Sequence, residues 1–420
     1  MLKARLRLIC LAFLIQFSYA NAQVLEEMAP PYNIKTASFM QNGENVYPFF
    51  RLGENFTFAF DDLFGNEANY YYTLTHCNYD WTKSQLTVNE YISGFDNQRI
   101  QNYQNSFNTL QIYSHYVLSF PNRFTRIQLT GNYILNILNE DREIIMSRRF
   151  VVYEEKVAVP LQVKRARGME EIQEKHNMDF AIKTNAFIFQ MPHQNVKVAL
   201  FQNGRFDNAI YNIKPQYTIG NDLIYRYDKE TQFWAGNEYL YFDNKDIRNA
   251  VNNVLRVTGG EIYNNTLYTN EARGSKPYTY FPDINGNFVT NNSNLNVTDV
   301  TLEADYAWVF FKLSAPAYFE KDDIYIGGMF NNYAKTDEYK MEYNEKTGMY
   351  EKAIMIKQGF NNYMYISANS KGKVNGGASP DGNFFQTEND YNVIVYYREN
   401  NERYDRVIGF GQANSENIIN

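Results

Sequence analysis

Residues 55–61 read Asn-Phe-Thr-Phe-Ala-Phe-Asp, a run in which polar and apolar side chains alternate. A period of two is typical of a β-strand, because successive side chains point to opposite faces. Only short pieces, such as 244–254, favour a helix. Similar alternating or β-former-rich runs return at 70–75, 126–130, 133–138, 196–201, 306–313 and 391–397. Turn-forming residues separate these runs, so the sequence predicts an all-β fold.

Composition shifts suggest three β-sandwich-like domains in series. The charged residues 154–156 precede Pro160, and the segment 290–301 is rich in Asn, Ser and Thr. Boundaries near 156 and 300 give domains of a size that suits β-sandwiches. The predicted domains are an N-terminal β-sandwich over 23–156, a middle β domain over 157–300 and a C-terminal β domain over 301–420.

The N-terminus has the pattern of a secretory signal peptide. Three basic residues precede an apolar stretch over 8–17, and the small residues Ala20-Asn21-Ala22 follow. This order is typical of a segment that signal peptidase removes. We therefore expect a signal peptide over 1–22, cleavage before Gln23 and a periplasmic mature protein.

The composition of the mature chain excludes several classes of protein. Cys77 is the only cysteine after cleavage, so an intramolecular disulfide is excluded and the apolar core must hold the fold. Loss of three basic residues with the signal peptide takes the formal charge from −7 to −10. This charge argues against nucleic acid as a partner, because phosphate binding needs a basic surface. No later segment is long and apolar enough for a membrane helix, so we expect a protein peripheral to the membrane.

His76, Cys77 and Asp80 suggest a metal or thiol site, but their spacing does not support one. A structural zinc site needs four ligands in close pairs, and neighbouring residues on a strand point to opposite faces. We interpret Cys77 as a small buried thiol beside a surface or capping histidine. The remaining histidines are isolated in the sequence: His115, His176 and His193.

Two Asn-Gly pairs predict tight turns. The segment 283–287, Asp-Ile-Asn-Gly-Asn, resembles part of a calcium loop but lacks its later oxygen ligands, so a hairpin turn is favoured. Asn203-Gly204 follows the strand 196–201 in the same way. Beyond this second turn, Arg205 could pair with Asp207 or reach a partner.

Acidic residues near 236–243 raise the alternative of a glycoside hydrolase. The segment 236–238, Gly-Asn-Glu, and Asp243 supply carboxylates. A glycosidase needs two of them facing each other in a cleft, which the sequence does not indicate. The sequence therefore assigns no catalytic, cofactor-binding or metal-ligating residue.

The C-terminal domain resembles early-set immunoglobulin-like domains, among them glycogen-binding modules. The segment 324–333, Ile-Tyr-Ile-Gly-Gly-Met-Phe-Asn-Asn-Tyr, precedes Met341 and two further hairpin strands. Tyr333 stands where those modules carry a Trp. Sugar stacking needs flat aromatic rings on an exposed face, and the sequence does not show that arrangement. The resemblance therefore predicts the architecture of these modules better than it predicts carbohydrate binding.

Several segments together resemble one family over nearly the whole mature chain, the plug proteins of the Bacteroidetes type 9 secretion system. In the first domain they are 60–63, 72–81, 90–95, 106–109, 113–116, 119–122, 131–133 and 148–150. In the rest of the chain they are 202–208, 235–238, 283–286, 357–359, 387–389, 396–398 and 403–406.

The resemblance implies a non-catalytic periplasmic protein at the inner face of the outer membrane. Its implied partner is the translocon barrel, whose periplasmic opening it closes when the cargo machinery is not engaged. It implies no cofactor and assigns no contact residue. The alternatives are a glycan-binding periplasmic or surface protein and a glycoside hydrolase.

Overall fold

The all-β prediction is confirmed by a computed structural model, which describes residues 23–184, 186–315, 322–416 and 418. Strands make up 45% of the structure and helices 5%. The predicted signal peptide over 1–22 lies outside the described residues. Among those described, no helix has the length and hydropathy needed to cross a bilayer.

The strands of the N-terminal unit form two sheets. Their bounds are β1 (Ile34–Gln41), β2 (Glu44–Asn45), β3 (Phe49–Arg51), β4 (Phe56–Asp62), β5 (Tyr71–Cys77), β6 (Ile92–Gly94), β7 (Gln98–Arg99), β8 (Asn102–Asn105), β9 (Ser114–Phe120), β10 (Thr125–Ile127), β11 (Gly131–Leu138) and β12 (Ile144–Tyr153). One sheet has the order β2-β1-β4-β9-β8 and the other β3-β12-β11-β5-β7, while β6 and β10 form a separate ribbon.

The remaining strands build four further sheets. Their bounds are β13 (Leu161–Arg165), β14 (Lys175–Ile182), β15 (Val196–Gln202), β16 (Ile210–Tyr211), β17 (Tyr217–Ile219), β18 (Asp222–Tyr225), β19 (Gln232–Trp234), β20 (Leu240–Asp243), β21 (Val254–Thr258), β22 (Tyr263–Leu267), β23 (Asn270–Glu271), β24 (Phe288–Thr290), β25 (Tyr306–Ser314), β26 (Asp323–Gly327), β27 (Glu342–Asn344), β28 (Met349–Lys357), β29 (Gly359–Ala368), β30 (Asp390–Tyr397) and β31 (Arg406–Asn414). The short helices are α1 (Val88–Tyr91), α2 (Pro192–Asn195), α3 (Val300–Glu303) and two 3₁₀ turns, Met329–Asn331 and Gly376–Ala378.

The strand pairing does not follow the boundary predicted near residue 300. β15 pairs with β30 from Val196↔Tyr397 to Gln202↔Tyr391, so the last strands of the chain complete the second unit. β20 pairs with β29, which places the strands from residue 240 to residue 368 in the third unit. A period-two pattern identifies a strand but not its partner, and these partners lie far apart in the sequence.

The segment 244–254, predicted as helical, instead forms turns. Asn252 and Asn253 both have positive φ angles, a conformation that asparagine tolerates in turns. The Asp246 carboxylate also accepts a hydrogen bond from the Arg248 amide. Local side-chain bonds of this kind compete with helix formation.

Each unit has its own core, and the first is rich in phenylalanine. Phe39, Phe50, Phe56, Phe58 and Phe150 are all buried between its two sheets. The Phe50 and Phe56 rings stack with centroids 3.9 Å apart. Large aromatic side chains bury much area each, which compensates for the lack of disulfides among the described residues.

The outer face of the β3-β12-β11-β5-β7 sheet packs on the second unit. Ile134 and Val151 from the first unit form one buried cluster with Phe201, Ile394 and Tyr396 from the second. This sheet has buried apolar side chains on both faces, so its outer face joins the first two units through an apolar interface. Such an interface resembles a domain core and favours a rigid arrangement.

The first and third units are joined by a buried ion pair. The Lys357 Nζ lies 2.7 Å from Asp61 Oδ2, and both side chains are almost fully buried. The Tyr306 hydroxyl donates to the same oxygen at 2.6 Å, and His115 Nδ1 lies 2.6 Å from Asp61 Oδ1. Burial alone would raise the pKa of Asp61, but Lys357 and His115 hold it at about 2. The carboxylate is therefore charged and depends on its partners.

Candidate functional site

His76 and Cys77 point to opposite faces of β5, as predicted. The Cys77 thiol is buried in the interface with the second unit, whereas the His76 ring lies 5.0 Å from the Tyr133 ring inside the first sandwich. Burial raises the pKa of Cys77 to about 12 and lowers the pKa of His76 to about 4. The prediction of a surface or capping histidine is wrong, because His76 is buried and bonded to the Thr130 carbonyl through Nε2.

We expect Cys77→Ala to lower the free energy of unfolding by about 1 kcal/mol, as for a modest change in a core, and to leave function intact. The reason is that a protonated, buried thiol is neither a nucleophile nor a metal ligand. Denaturant titration measures the stability, and a thiol-specific reagent should react only with the unfolded protein. Loss of partner binding at unchanged stability would show that the thiol is functional.

The remaining metal-like motifs form local structure. Asp80 accepts hydrogen bonds from the backbone and side chain of Thr82 within its own turn. Asn285 and Gly286 both have positive φ, and the Asn287 amide donates to the Ile284 carbonyl, which confirms a turn. The turn does not close a hairpin, because β24, which follows it, pairs with β29. Within the described parts of the chain, no three His, Cys, Asp or Glu side chains are arranged to hold a metal ion.

Glu238 lies near Asp283 rather than Asp243, and burial together with the neighbouring Asp283 raises the pKa of Glu238 to about 7. Glu238 is almost fully buried. A glycosidase instead needs two carboxyl groups that face each other across a cleft open to the substrate. Asp243 instead accepts bonds from Asn252 and the Lys245 amide. This arrangement does not provide the geometry that the hydrolase alternative needs.

Tyr333 does not offer a sugar-stacking surface. Its ring is buried, and its hydroxyl lies 3.1 Å from the Tyr239 hydroxyl. The guanidinium carbon of Arg205 lies 4.4 Å from the Tyr333 ring centroid. The residue that stands in place of the expected tryptophan is therefore part of the interior.

The predicted pair of Arg205 and Asp207 forms beyond the Asn203-Gly204 turn. Nε and Nη2 of Arg205 each lie 2.9 Å from an Asp207 oxygen, a bidentate contact. Lys335 from the third unit approaches the same carboxylate at 2.8 Å. Although burial alone would raise the pKa of Asp207, the two cations hold it well below its usual value. The pair thus links the second and third units.

A cleft of about 380 Å³ lies next to this pair, between the second and third units. Its walls come from β15, β16 and β19 on one side and from β29 and the segment 373–383 on the other. Trp234 lines the cleft, but Lys175 and the Gly376-Gly377 segment already pack against its indole ring. Sequence patterns cannot reveal this cleft, because its walls come from segments that are distant in the chain.

Four large apolar side chains form an exposed surface at one end of the first unit, which we call the apolar tip: Phe64, Phe107, Leu110 and Ile112. Their exposed fractions are 62%, 70%, 52% and 57%. Asp62 pairs with Ser114, so the loops after β4 and before β9 leave the sheet at the same end. A Cβ on Gly65 would lie 3.1 Å from Ile112 Cδ1, which shows that the two loops touch.

The loop that carries three of these side chains is held by the third unit. The Leu110 and Gln111 amides donate to the Asp305 carboxylate at 2.7 and 3.0 Å, and the Phe107 amide donates to the Leu302 carbonyl. The backbone is therefore fixed while the apolar side chains face solvent. Monomeric proteins rarely expose such clusters outside interaction sites.

The residues around the apolar tip favour a protein partner over an anionic lipid surface. The segments 62–70 and 102–116 contain no lysine or arginine, and Glu67, which lies in the first of them, is exposed. Binding to anionic lipids relies on basic residues, whereas protein interfaces combine an apolar centre with a polar rim.

Comparison with known proteins places these features in a family. The family model described as the first domain of the type 9 secretion system plug protein matches residues 34–154. The chain belongs to the type 9 secretion system plug protein family.

The similarity extends beyond that domain. The crystal structure of a hypothetical protein from Parabacteroides merdae ATCC 43184 is 31% identical and has a TM-score of 0.86. The match covers 92% of this chain and 98% of that one, so all three units share its fold. The BSP domain of a biofilm-associated protein is 8% identical over 94% of this chain and 61% of that one. Its TM-score of 0.17 is too low to indicate a shared fold. No curated protein matches the chain.

The apolar tip lies within the residues that match the plug family, and sequence reasoning missed it. Its two loops contain the segment 106–109 and adjoin the segments 60–63 and 113–116, all of which carry the family resemblance. The signal was present as apolar residues inside turn-rich loops. Without the fold, Phe64 and Phe107 cannot be distinguished from buried core residues.

Proposed function

We propose that this protein is a non-catalytic plug that closes the periplasmic opening of the type 9 outer-membrane translocon when cargo machinery is not engaged. The family match over residues 34–154 carries the proposal. It supports a role in the bacterial envelope as a structural component.

The architecture supports such a role, because closing a wide pore requires a rigid body. The first unit packs on the second through the cluster around Val151 and Phe201, and on the third through Tyr113, Tyr306 and Met355. The ion pair of Asp61 and Lys357 adds a polar link to the second of these contacts. The three units therefore present one folded surface to a partner.

The apolar tip is the proposed contact with the translocon barrel. A few buried aromatic and aliphatic side chains usually dominate the free energy of such a contact. The fixed backbone of residues 107–111 lowers the entropy lost on binding. A contact of moderate size would also let cargo machinery displace the plug, since two bodies that compete for one opening weaken each other's binding.

Co-purification with a tagged translocon barrel tests the proposal. Phe107→Asp places a charge in the tip at its most exposed side chain, and we expect binding to weaken by about 30-fold, which corresponds to about 2 kcal/mol. Ile188→Asp is the matched control, because Ile188 is similarly exposed, at 81%, on the second unit. Equal recovery of both variants would show that the tip is not part of the interface. If the wild-type protein is not recovered with the barrel, the proposal itself is contradicted.

A further inference from the structure

The cleft between the second and third units contains polar atoms without suitable partners. Arg205 is 7% exposed, and two of its nitrogens bind Asp207. The third, Nη1, has the Met364 sulfur at 3.3 Å as its contact. A thioether is a weak acceptor, so this charged donor has hydrogen-bonding capacity to spare.

Asn208 adds an acceptor without a donor. The Gln202 amide nitrogen donates to the Trp234 carbonyl and the Tyr391 hydroxyl, which fixes the Gln202 oxygen as an acceptor. The Asn208 nitrogen donates to that oxygen at 3.0 Å. The Asn208 Oδ1 is therefore an acceptor, and it is buried without a partner among the described residues.

The charge balance of the cleft is positive. Asp207 is the one acidic residue among those that line it, and Asp207 is shared by Arg205 and Lys335. Lys373 lines the rim, is exposed and has no carboxylate partner among the described residues. The cleft is therefore positively charged, whereas the whole chain has a formal charge of −7.

From these observations we propose that the cleft binds a carboxylate with a neighbouring N–H group, the combination found in a peptide. The carboxylate would accept from Arg205 Nη1 and meet the charge of Lys373, while the N–H would donate to Asn208 Oδ1. Charged hydrogen bonds of this kind are stronger than neutral ones. The volume of about 380 Å³ accommodates a short peptide segment.

A peptide can supply this chemistry from its C-terminus or from an acidic side chain, and four probes distinguish the two. They are an N-acetyl dipeptide with a free carboxylate, the same dipeptide as a C-terminal amide, N-acetylglutamate with its α-carboxylate amidated, and acetate. Isothermal titration of the purified full-length protein measures binding. Tighter binding of the free dipeptide than of the glutamate derivative would assign a chain terminus, and the reverse would assign a side chain.

Two changes test the roles of the individual atoms. Lys373→Glu should weaken carboxylate binding about tenfold, whereas Lys371→Glu, an exposed neighbour outside the cleft, should not change it. Methylating the amide nitrogen of the tighter-binding probe removes the donor to Asn208 and should cost about tenfold. Both substitutions are at exposed positions, and a matched unfolding temperature would confirm that they leave the fold intact.

The proposal is overturned if no carboxylate probe saturates the protein, or if amidation and Lys373→Glu leave binding unchanged. Acetate binding as tightly as the peptides would also contradict it, because acetate carries no N–H group. The experiment contains no translocon, so its result is independent of the proposed plug function.

Discussion

Replacing Lys357 with methionine is expected to lower the free energy of unfolding by about 3–5 kcal/mol. The substitution preserves much of the side-chain volume but leaves the Asp61 carboxylate buried without its cation. His115 and Tyr306 still contact Asp61, but neither replaces the ammonium group of Lys357. Chemical denaturation followed by tyrosine fluorescence and circular dichroism measures the change.

Two control variants separate the buried charge from general damage. Lys276→Met removes a lysine from an exposed pair with Glu271 and should not change stability measurably. Combining Lys357→Met with Asp61→Asn removes the uncompensated charge, so the double variant should be more stable than Lys357→Met alone. A Lys357→Met protein as stable as the wild type would show that the ion pair does not hold the first and third units together.

The same pair sets a pH dependence. The pKa of Asp61 is about 2 in the folded protein, below the usual 3.8, so its contribution to stability is present above pH 4 and is lost as the pH falls towards 2. A protonated Asp61 no longer needs a cation. The difference in stability between the wild type and Lys357→Met should therefore shrink as the pH falls from 5 to 2.

Deletion of the gene is expected to make the outer membrane leaky rather than to abolish secretion. A plug supplies neither chemistry nor driving force, so its loss leaves part of the channel population open. The expected phenotype is sensitivity to large antibiotics and uptake of a large fluorescent dye. Deleting the barrel as well should remove the leak, whereas a leak that persists without the barrel would have another cause.

The sequence predicts local structure, such as strands and turns, but not which distant strands pair. The alternation at 55–61 identifies β4, and the pairs Asn203-Gly204 and Asn285-Gly286 identify turns, because both signals depend on neighbouring residues. The pairing of β15 with β30 depends on residues almost 200 positions apart, so local patterns could not show that the last strands return to the second unit, and the boundary predicted near 300 does not match the pairing.

The candidate sites show the same division. The pair of Arg205 and Asp207 was accessible to sequence reasoning because the two residues are close in the chain. Lys335, which shares the carboxylate, comes from another unit and gave no signal. The residues next to His76 in the sequence do not show whether its side chain is exposed or buried. Its burial depends on Tyr133 and Tyr91, which pack around the ring.

Dye flux through the purified translocon barrel in lipid vesicles tests the plug function most directly. Adding the purified protein to the periplasmic side should reduce the flux of a large dye to the level of vesicles without barrel. Phe107→Asp should require a higher concentration for the same effect, and Ile188→Asp should act like the wild type. Flux that stays unchanged while the wild-type protein is bound to the barrel would contradict the plug function.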